Sequence, residues 1–173
     1  INKKNTGKDL LVTSETGSGK TLAYFLSISE DILLENFKKA SSPLGLVVAP
    51  TRELALQVFQ EAKLLFNFEN IDIVTTIGGM DIKKERQNLS KKFHLLIGTP
   101  GRINDHLRRR NLNLSNLSAI VLDEADEILD LGFKDDLDRI VNKIPIKART
   151  LMFSATLPNK VISLANKYQN KPI

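Results

Sequence analysis

The chain of 173 residues has no cysteine. That excludes a disulfide scaffold and a cysteine-ligated metal, and it allows a reducing compartment. Long apolar runs are missing too. The longest, such as Leu44-Gly45-Leu46-Val47-Val48-Ala49, fall far short of the roughly 20 residues that span a bilayer. The opening Ile1-Asn2-Lys3-Lys4 leads into polar residues, so no secretory signal is read there. There is no internal repeat and no low-complexity segment. Histidine is scarce: His94 and His106 are isolated, and each is expected to be structural or exposed, not catalytic.

What is present suits one soluble globular domain with a real core. Hydrophobic residues make up 42% and charged residues 26%, which argues against a disordered chain. The net charge of +5 suits a polyanionic partner, but only weakly.

The most informative stretch is Ser14-Glu15-Thr16-Gly17-Ser18-Gly19-Lys20-Thr21. It follows the apolar run Leu10-Leu11-Val12 and precedes a helix-like run from Leu22. Strand, glycine-bearing loop, then helix is the setting in which this pattern binds phosphate. The glycines let the loop curl so that backbone N–H groups point at one anion. The helix start adds partial positive charge at the same place. Lys20 supplies a full charge for the β- and γ-phosphates, and the Thr21 hydroxyl is a ligand for Mg²⁺. Ser14 stands where the strict motif has glycine.

Short apolar runs alternate with longer amphipathic ones. Strands are expected at 9–14, 44–49, 72–77, 94–98, 119–123 and 149–153, with helices of about ten residues or more between them. This alternation predicts an α/β fold: a mostly parallel central sheet with helices on both faces. Ligands then collect beyond the carboxyl ends of the strands. The unusual residues fall at those ends. Pro50-Thr51-Arg52 follows the second strand, with Thr51 a helix N-cap, and Gly78-Gly79 follows the third. Asp81 is expected to cap the next helix, whose Lys83, Lys84, Arg86, Lys91 and Lys92 read as a solvated face. Thr99-Pro100-Gly101-Arg102 follows the fourth strand, Thr as N-cap and Pro at N1. That helix is expected to reach Arg110, with Arg108, Arg109 and Arg110 complementing its dipole. Asp123-Glu124-Ala125-Asp126 follows the fifth strand. An apolar strand ending in two acids completes a nucleoside-triphosphate site. Asp123 would hold the Mg²⁺ complex, and Glu124 would position or deprotonate the attacking water.

Taken together, these stretches resemble the DEAD-box RNA helicases of superfamily 2. Ser14 to Thr21 resembles the family's first motif, where the leading residue is usually Ala. Pro50-Thr51-Arg52-Glu53-Leu54-Ala55, Gly78-Gly79 and Thr99-Pro100-Gly101-Arg102 are similar to its RNA contacts. Asp123-Glu124-Ala125-Asp126 matches the tetrapeptide that names the family, and Ser154-Ala155-Thr156 matches its coupling motif. The order agrees and covers nearly the whole chain.

The resemblance implies a single RecA-like P-loop domain over 1–173, the first of two in the family. The second domain and an upstream glutamine motif are expected to lie outside this sequence. It implies ATP and Mg²⁺ as cofactors, with Thr16, Gly17, Ser18, Gly19, Lys20 and Thr21 at the nucleotide and Thr21 and Asp123 at the metal. Pro50, Thr51, Arg52, Gly78, Gly79, Thr99, Pro100, Gly101 and Arg102 are implied RNA-backbone contacts, independent of sequence. Asp126 is implied to bond with Ser154 and Thr156 and to couple the two sites. The implied activity is ATP-dependent local unwinding of RNA duplexes, in the cytoplasm and without a membrane. The chain alone is expected to be monomeric and nearly inactive. The alternatives are a DNA helicase or translocase of the same superfamily, a small-molecule kinase or signalling NTPase, and an RNA-binding scaffold without turnover.

Overall fold

The structure, a computed structural model, describes residues 8–15, 17–34, 42–67 and 71–172. Its elements in chain order are β1 (Leu10–Thr13), α1 (Lys20–Leu34), β2 (Gly45–Val48), α2 (Arg52–Leu65), β3 (Ile73–Thr76) and α3 (Ile82–Leu89). They continue with β4 (Leu95–Gly98), α4 (Pro100–Arg108), β5 (Ala119–Leu122), α5 (Ala125–Asp130), α6 (Lys134–Val141), β6 (Arg149–Ser154) and α7 (Asn159–Tyr168).

The strands form one six-stranded sheet in the order β1-β6-β5-β2-β4-β3, every pairing parallel. The order explains where the helices go. From β1 to β2 to β3 the chain steps across the sheet in one direction; from β3 to β6 it steps back. Parallel crossovers keep one hand, so reversing direction moves the helices to the opposite face. Accordingly α1 and α2 pack on one side with Val47, Ile97, Val121 and Phe153, and α4 to α7 pack on the other with Leu46, Leu96, Ile120 and Met152. Neighbouring strand residues thus enter opposite cores, which is why the strands read as unbroken apolar runs.

Local chemistry fixes the helix starts. Thr51 Oγ1 accepts from Leu54 N at 3.2 Å, and Asp81 Oδ1 accepts from Lys83 N at 2.8 Å. Thr99 is the N-cap of α4 with Pro100 behind it, yet its side chain makes no cap bond. Its backbone N–H donates instead to Thr76 O at 3.1 Å. In α1, Tyr24, Phe25, Ile28 and Ile32 form one buried stripe. Full burial of a side chain of that size stabilises by about 1.5–3 kcal/mol. The Tyr24 ring meets Phe25 and Phe153 edge-on at 4.8 and 5.3 Å, which locks α1 to β6.

The expected strands are all present, β6 one residue longer than expected. The differences lie at helix ends. Helix α4 stops at Arg108, because Arg110 has φ +57° and cannot continue a right-handed helix. Lys91 and Lys92 lie past the end of α3. The helix after the glycine-bearing loop is expected over about Thr21 to Phe37, and its residues 35–37 lie outside the described residues. Helix α5 has no counterpart in the sequence reading. Glu124 opens it from the left-handed region, at φ 51° and ψ 54°, a conformation glutamate does not advertise. Among the described residues no helix is long and apolar enough to cross a membrane.

Candidate nucleotide and nucleic-acid site

Every stretch singled out above leaves the carboxyl end of a strand, so all lie along one edge of the sheet. β1 and β5 both pair with β6, which brings their ends to within roughly 10 Å of each other.

After β1 the chain curls through Gly17 and Gly19, at φ +80° and +85°, which side-chain-bearing residues rarely adopt. Ser18 Oγ donates to Glu15 O at 2.7 Å, and the Ser14 and Ser18 hydroxyls hydrogen-bond to each other. Ser14 therefore closes the loop with a contact that glycine could not make. Thr16 lies outside the described residues. Lys20 opens α1 with 9% of its surface exposed, and its Nζ is buried with no hydrogen-bond partner. Thr21 is half-buried one position on.

At the end of β5, Asp123 is 3% exposed. Its Oδ2 accepts from the Tyr24 hydroxyl at 3.2 Å, and its Oδ1 is buried without a partner. Burial raises its pKa, against the Tyr24 bond and the Lys20 charge. Glu124 is pushed up to about 7 by burial, a hydrogen bond with Glu127 and the neighbouring Asp123 and Glu127 charges, with Lys20 opposing. Lys20 acts electrostatically on both acids, so the three share one locale. Two opposite charges left bare in one buried place are costly unless a ligand completes them. A phosphate would complete Lys20, and a cation or its water would complete Asp123. The residues present therefore fit a magnesium–triphosphate group. Among the described residues no three His, Asp or Glu side chains gather to hold a metal by themselves, so such an ion would depend on phosphate oxygens as well.

Asp126, on α5, faces β6. Its Oδ2 accepts from Thr156 Oγ1 at 2.7 Å and Thr156 N at 3.0 Å, and its N–H donates to Ser154 Oγ at 3.3 Å. Burial alone would raise its carboxyl; the bonds from Thr156 and Ser154 outweigh that and hold it below the ordinary range.

Pro50-Thr51-Arg52, Gly78-Gly79 and Thr99-Pro100-Gly101-Arg102 lie side by side at the ends of β2, β3 and β4. The Arg52 guanidinium lies on Gly79: a Cβ added there would sit 2.3 Å from one of its nitrogens. Gly79 also has φ +79°, so glycine is needed twice over. Arg52 is exposed. Arg102 is not; only 14% of its side chain reaches solvent. Its Nε donates to Glu85 Oε2 at 2.7 Å, and a terminal nitrogen donates to Met80 O at 2.6 Å. Its charge is thus spent inside the protein, and the helix start it belongs to is left to face a ligand with backbone N–H groups.

The sequence reading missed the partner in that bond. Glu85 lies within the lysine-rich α3, yet it is 5% exposed. It accepts from Ile77 N at 3.0 Å and meets His106 Nε2 at 2.7 Å. Burial would raise its pKa; the His106 bond, the Ile77 N–H and Arg102 together lower it. His106 is fully buried, and His94 accepts from Asp72 N at 2.9 Å through Nδ1, so both histidines are structural. One signal pointed to Glu85: it is the only acid among the basic residues of α3.

Comparison with known proteins agrees with this geometry. The sequence profile of the DEAD/DEAH box helicase family matches residues 1–164. The DEAD-box ATP-dependent RNA helicase CshA of Geobacillus kaustophilus is 40% identical over 165 residues, which cover 95% of this chain and 34% of the relative. DEAD-box ATP-dependent RNA helicase 9 of Oryza sativa subsp. japonica is 41% identical over 169 residues, covering 96% of this chain and 26% of the relative. The chain thus spans about a third or less of the curated relatives it matches. The crystal structure of a DEAD box protein from Methanococcus jannaschii superposes with a TM-score of 0.89 at 37% identity, covering 98% of this chain and 45% of that one. On its motifs, its sheet and these matches, the chain belongs to the DEAD/DEAH box helicase family.

Proposed function

We propose that residues 1–173 form the first RecA-like, ATP-binding domain of an RNA-dependent ATPase and helicase, completed by a second RecA-like domain of the same polypeptide. One observation carries the reading: Lys20 Nζ and Asp123 Oδ1 are buried, oppositely charged and unpartnered beyond the ends of β1 and β5, the two strands that flank β6. A magnesium–triphosphate group is the ligand whose charges fit both.

In this reading Gly17, Ser18, Gly19 and the start of α1 cradle the phosphates, with Thr16 beside them. Lys20 neutralises the β- and γ-oxygens. Thr21 and Asp123 would hold Mg²⁺, which when bound spreads the charge that builds on the phosphates. Glu124 orients the attacking water and takes its proton; its raised pKa suits a base working near neutrality. Asp126 links that acid pair to Ser154 and Thr156. RNA lies across the ends of β2, β3 and β4, where helix N-termini and Arg52 favour phosphate without reading bases. Gly101 and Pro100 belong to this face through the backbone, and Arg102 by bracing the loop at Met80. The proposed compartment is the cytoplasm, where ATP and RNA are both at hand.

The test is nucleotide turnover by the full-length protein with RNA and DNA duplexes of several lengths. RNA should stimulate it and short duplexes should open; stimulation by DNA alone, or indifference to RNA, overturns the reading. The isolated chain should turn over poorly, since an arginine finger supplied from outside is worth roughly 10³–10⁵ in rate.

A further inference from the structure

The surface between α3 and the end of α4 has no part in the function proposed above. It holds a cleft of about 470 Å³ lined by Ile82, Lys83, Arg86, Arg109 and Asn111. Three of these are cations and none is a carboxylate. The acids on the two helices are directed elsewhere. Glu85 turns inward to Arg102, His106 and Ile77 N. Asp81 caps α3. Asp105 accepts from Arg108 and from Arg109 Nε, each at 3.0 Å, and lies 3.9 Å from an Arg102 nitrogen, a single carboxylate shared among three guanidinium groups, of which those of Arg108 and Arg109 are 75% and 57% exposed. The burial of Glu85 is therefore what leaves the outer side of α3 without a carboxylate of its own. The cleft also follows directly on the strand-end loops along the chain. It begins at Ile82, three residues beyond Gly79, and the Arg102 bond ties Met80, between them, to α4.

We infer that this cleft binds phosphates of an RNA strand running on past the Gly78–Gly79 loop, so that the nucleic-acid path extends over the α3–α4 surface. The inference rests on the RNA-binding reading above. RNA fits the lining better than an acidic protein segment does. Ile82 is the only apolar residue there, and protein partners are anchored chiefly by apolar and aromatic side chains. A phosphate backbone needs only cations spaced along its route.

The experiment uses full-length protein carrying Lys83→Gln, Arg86→Gln and Arg109→Gln together. All three side chains are exposed, and the one ion pair lost is at the surface, where such pairs are worth little. Affinity is measured for a short single-stranded RNA and for one several nucleotides longer at each end, across a salt series. Wild-type protein should bind the longer strand more tightly. The variant should lose most of that gain, severalfold in Kd, and its salt dependence on the long strand should be shallower by about 2 in slope. An unchanged gain and slope overturn the inference. So does an equal loss on both strands, because the cleft would then not be an extension. A variant that keeps the RNA gain but no longer binds a polyglutamate peptide assigns the cleft to acidic proteins and overturns it as well. Wild-type protein that binds neither strand overturns the RNA reading itself, and the cleft with it.

Discussion

The two ends of the candidate site are built on opposite principles. At the nucleotide end, charges are buried and left open: Lys20 Nζ and Asp123 Oδ1 have no protein partner. At the nucleic-acid end, charges are buried and closed on each other: Glu85 serves Arg102, His106 and the Ile77 N–H at once. An open pair of charges destabilises the empty protein and is relieved by ligand. A closed cluster holds a loop in place whether ligand is there or not. The first arrangement suits a group that comes and goes with each turnover. The second suits a surface that offers the same backbone donors to any strand.

Substitutions can break this contrast one end at a time. The largest effect is expected from Glu124→Gln in the full-length protein. It removes the base and keeps the shape, so turnover should fall about 10²–10⁴-fold while ATP stays bound; single-turnover hydrolysis beside a nucleotide titration checks this, and unchanged turnover ends the assigned role. Next is Lys20→Met. ATP affinity should drop roughly 10–100-fold, as for loss of hydrogen bonds to a charged group. The ligand-free chain should melt higher, because a buried unpaired charge has gone. Calorimetry reads both, and a lower melting point would show that Lys20 is not an open charge.

Glu85→Gln should act in the reverse sense, destabilising the empty chain by about 3 kcal/mol through loss of the charge that Arg102 and His106 share. Its pH dependence has a definite sign. The folded protein holds Glu85 below its ordinary value of 4.5, so its contribution is fully present above about that pH and fades as pH falls through the lowered value. The gap in stability between wild type and Glu85→Gln should therefore be widest near neutrality and close in acid. A gap that is flat with pH would remove Glu85 from the account. The smallest effect is expected from Gly79→Ala. Its positive φ costs about 1 kcal/mol, and the new Cβ must push aside only the tip of Arg52. RNA binding should weaken with nucleotide binding untouched, which paired titrations would detect.

The sequence was most legible where one physical requirement governs a short stretch. The central strands β2, β4 and β5 are buried at every position and apolar throughout, and β1, β3 and β6 keep enough of that pattern to be read. Thr51 and Asp81 announce helix starts by residue type, and the two glycines of the phosphate loop announce positive φ. What stayed hidden depends on distant partners. Glu85 becomes buried because Arg102 and His106, 17 and 21 residues away, close around it. Lys83, Lys84 and Arg86 read as a solvated face and are exposed, but nothing in that reading reveals the buried acid among them. Arg102 is implied as an RNA contact, and nothing nearby in sequence reveals the partner that holds its charge. Helix α5 stayed hidden for a different reason: its start rests on a glutamate in a conformation that glycine or asparagine would have signalled.

The place of β6 in the sheet has a consequence for biosynthesis. β1 is an outer strand paired to β6, and β6 is what joins it to β5. On the ribosome, β1 and the loop after it emerge ahead of β6, the last of the six strands of the sheet in chain order. The joint is then sealed by Gln169, whose amide nitrogen donates to Leu10 O at 2.7 Å and to Thr150 O at 2.9 Å. A message truncated before Arg149 would yield a chain with most of its core and no anchored nucleotide loop. Under the proposed function, stalled or clipped products should therefore be unable to capture nucleotide.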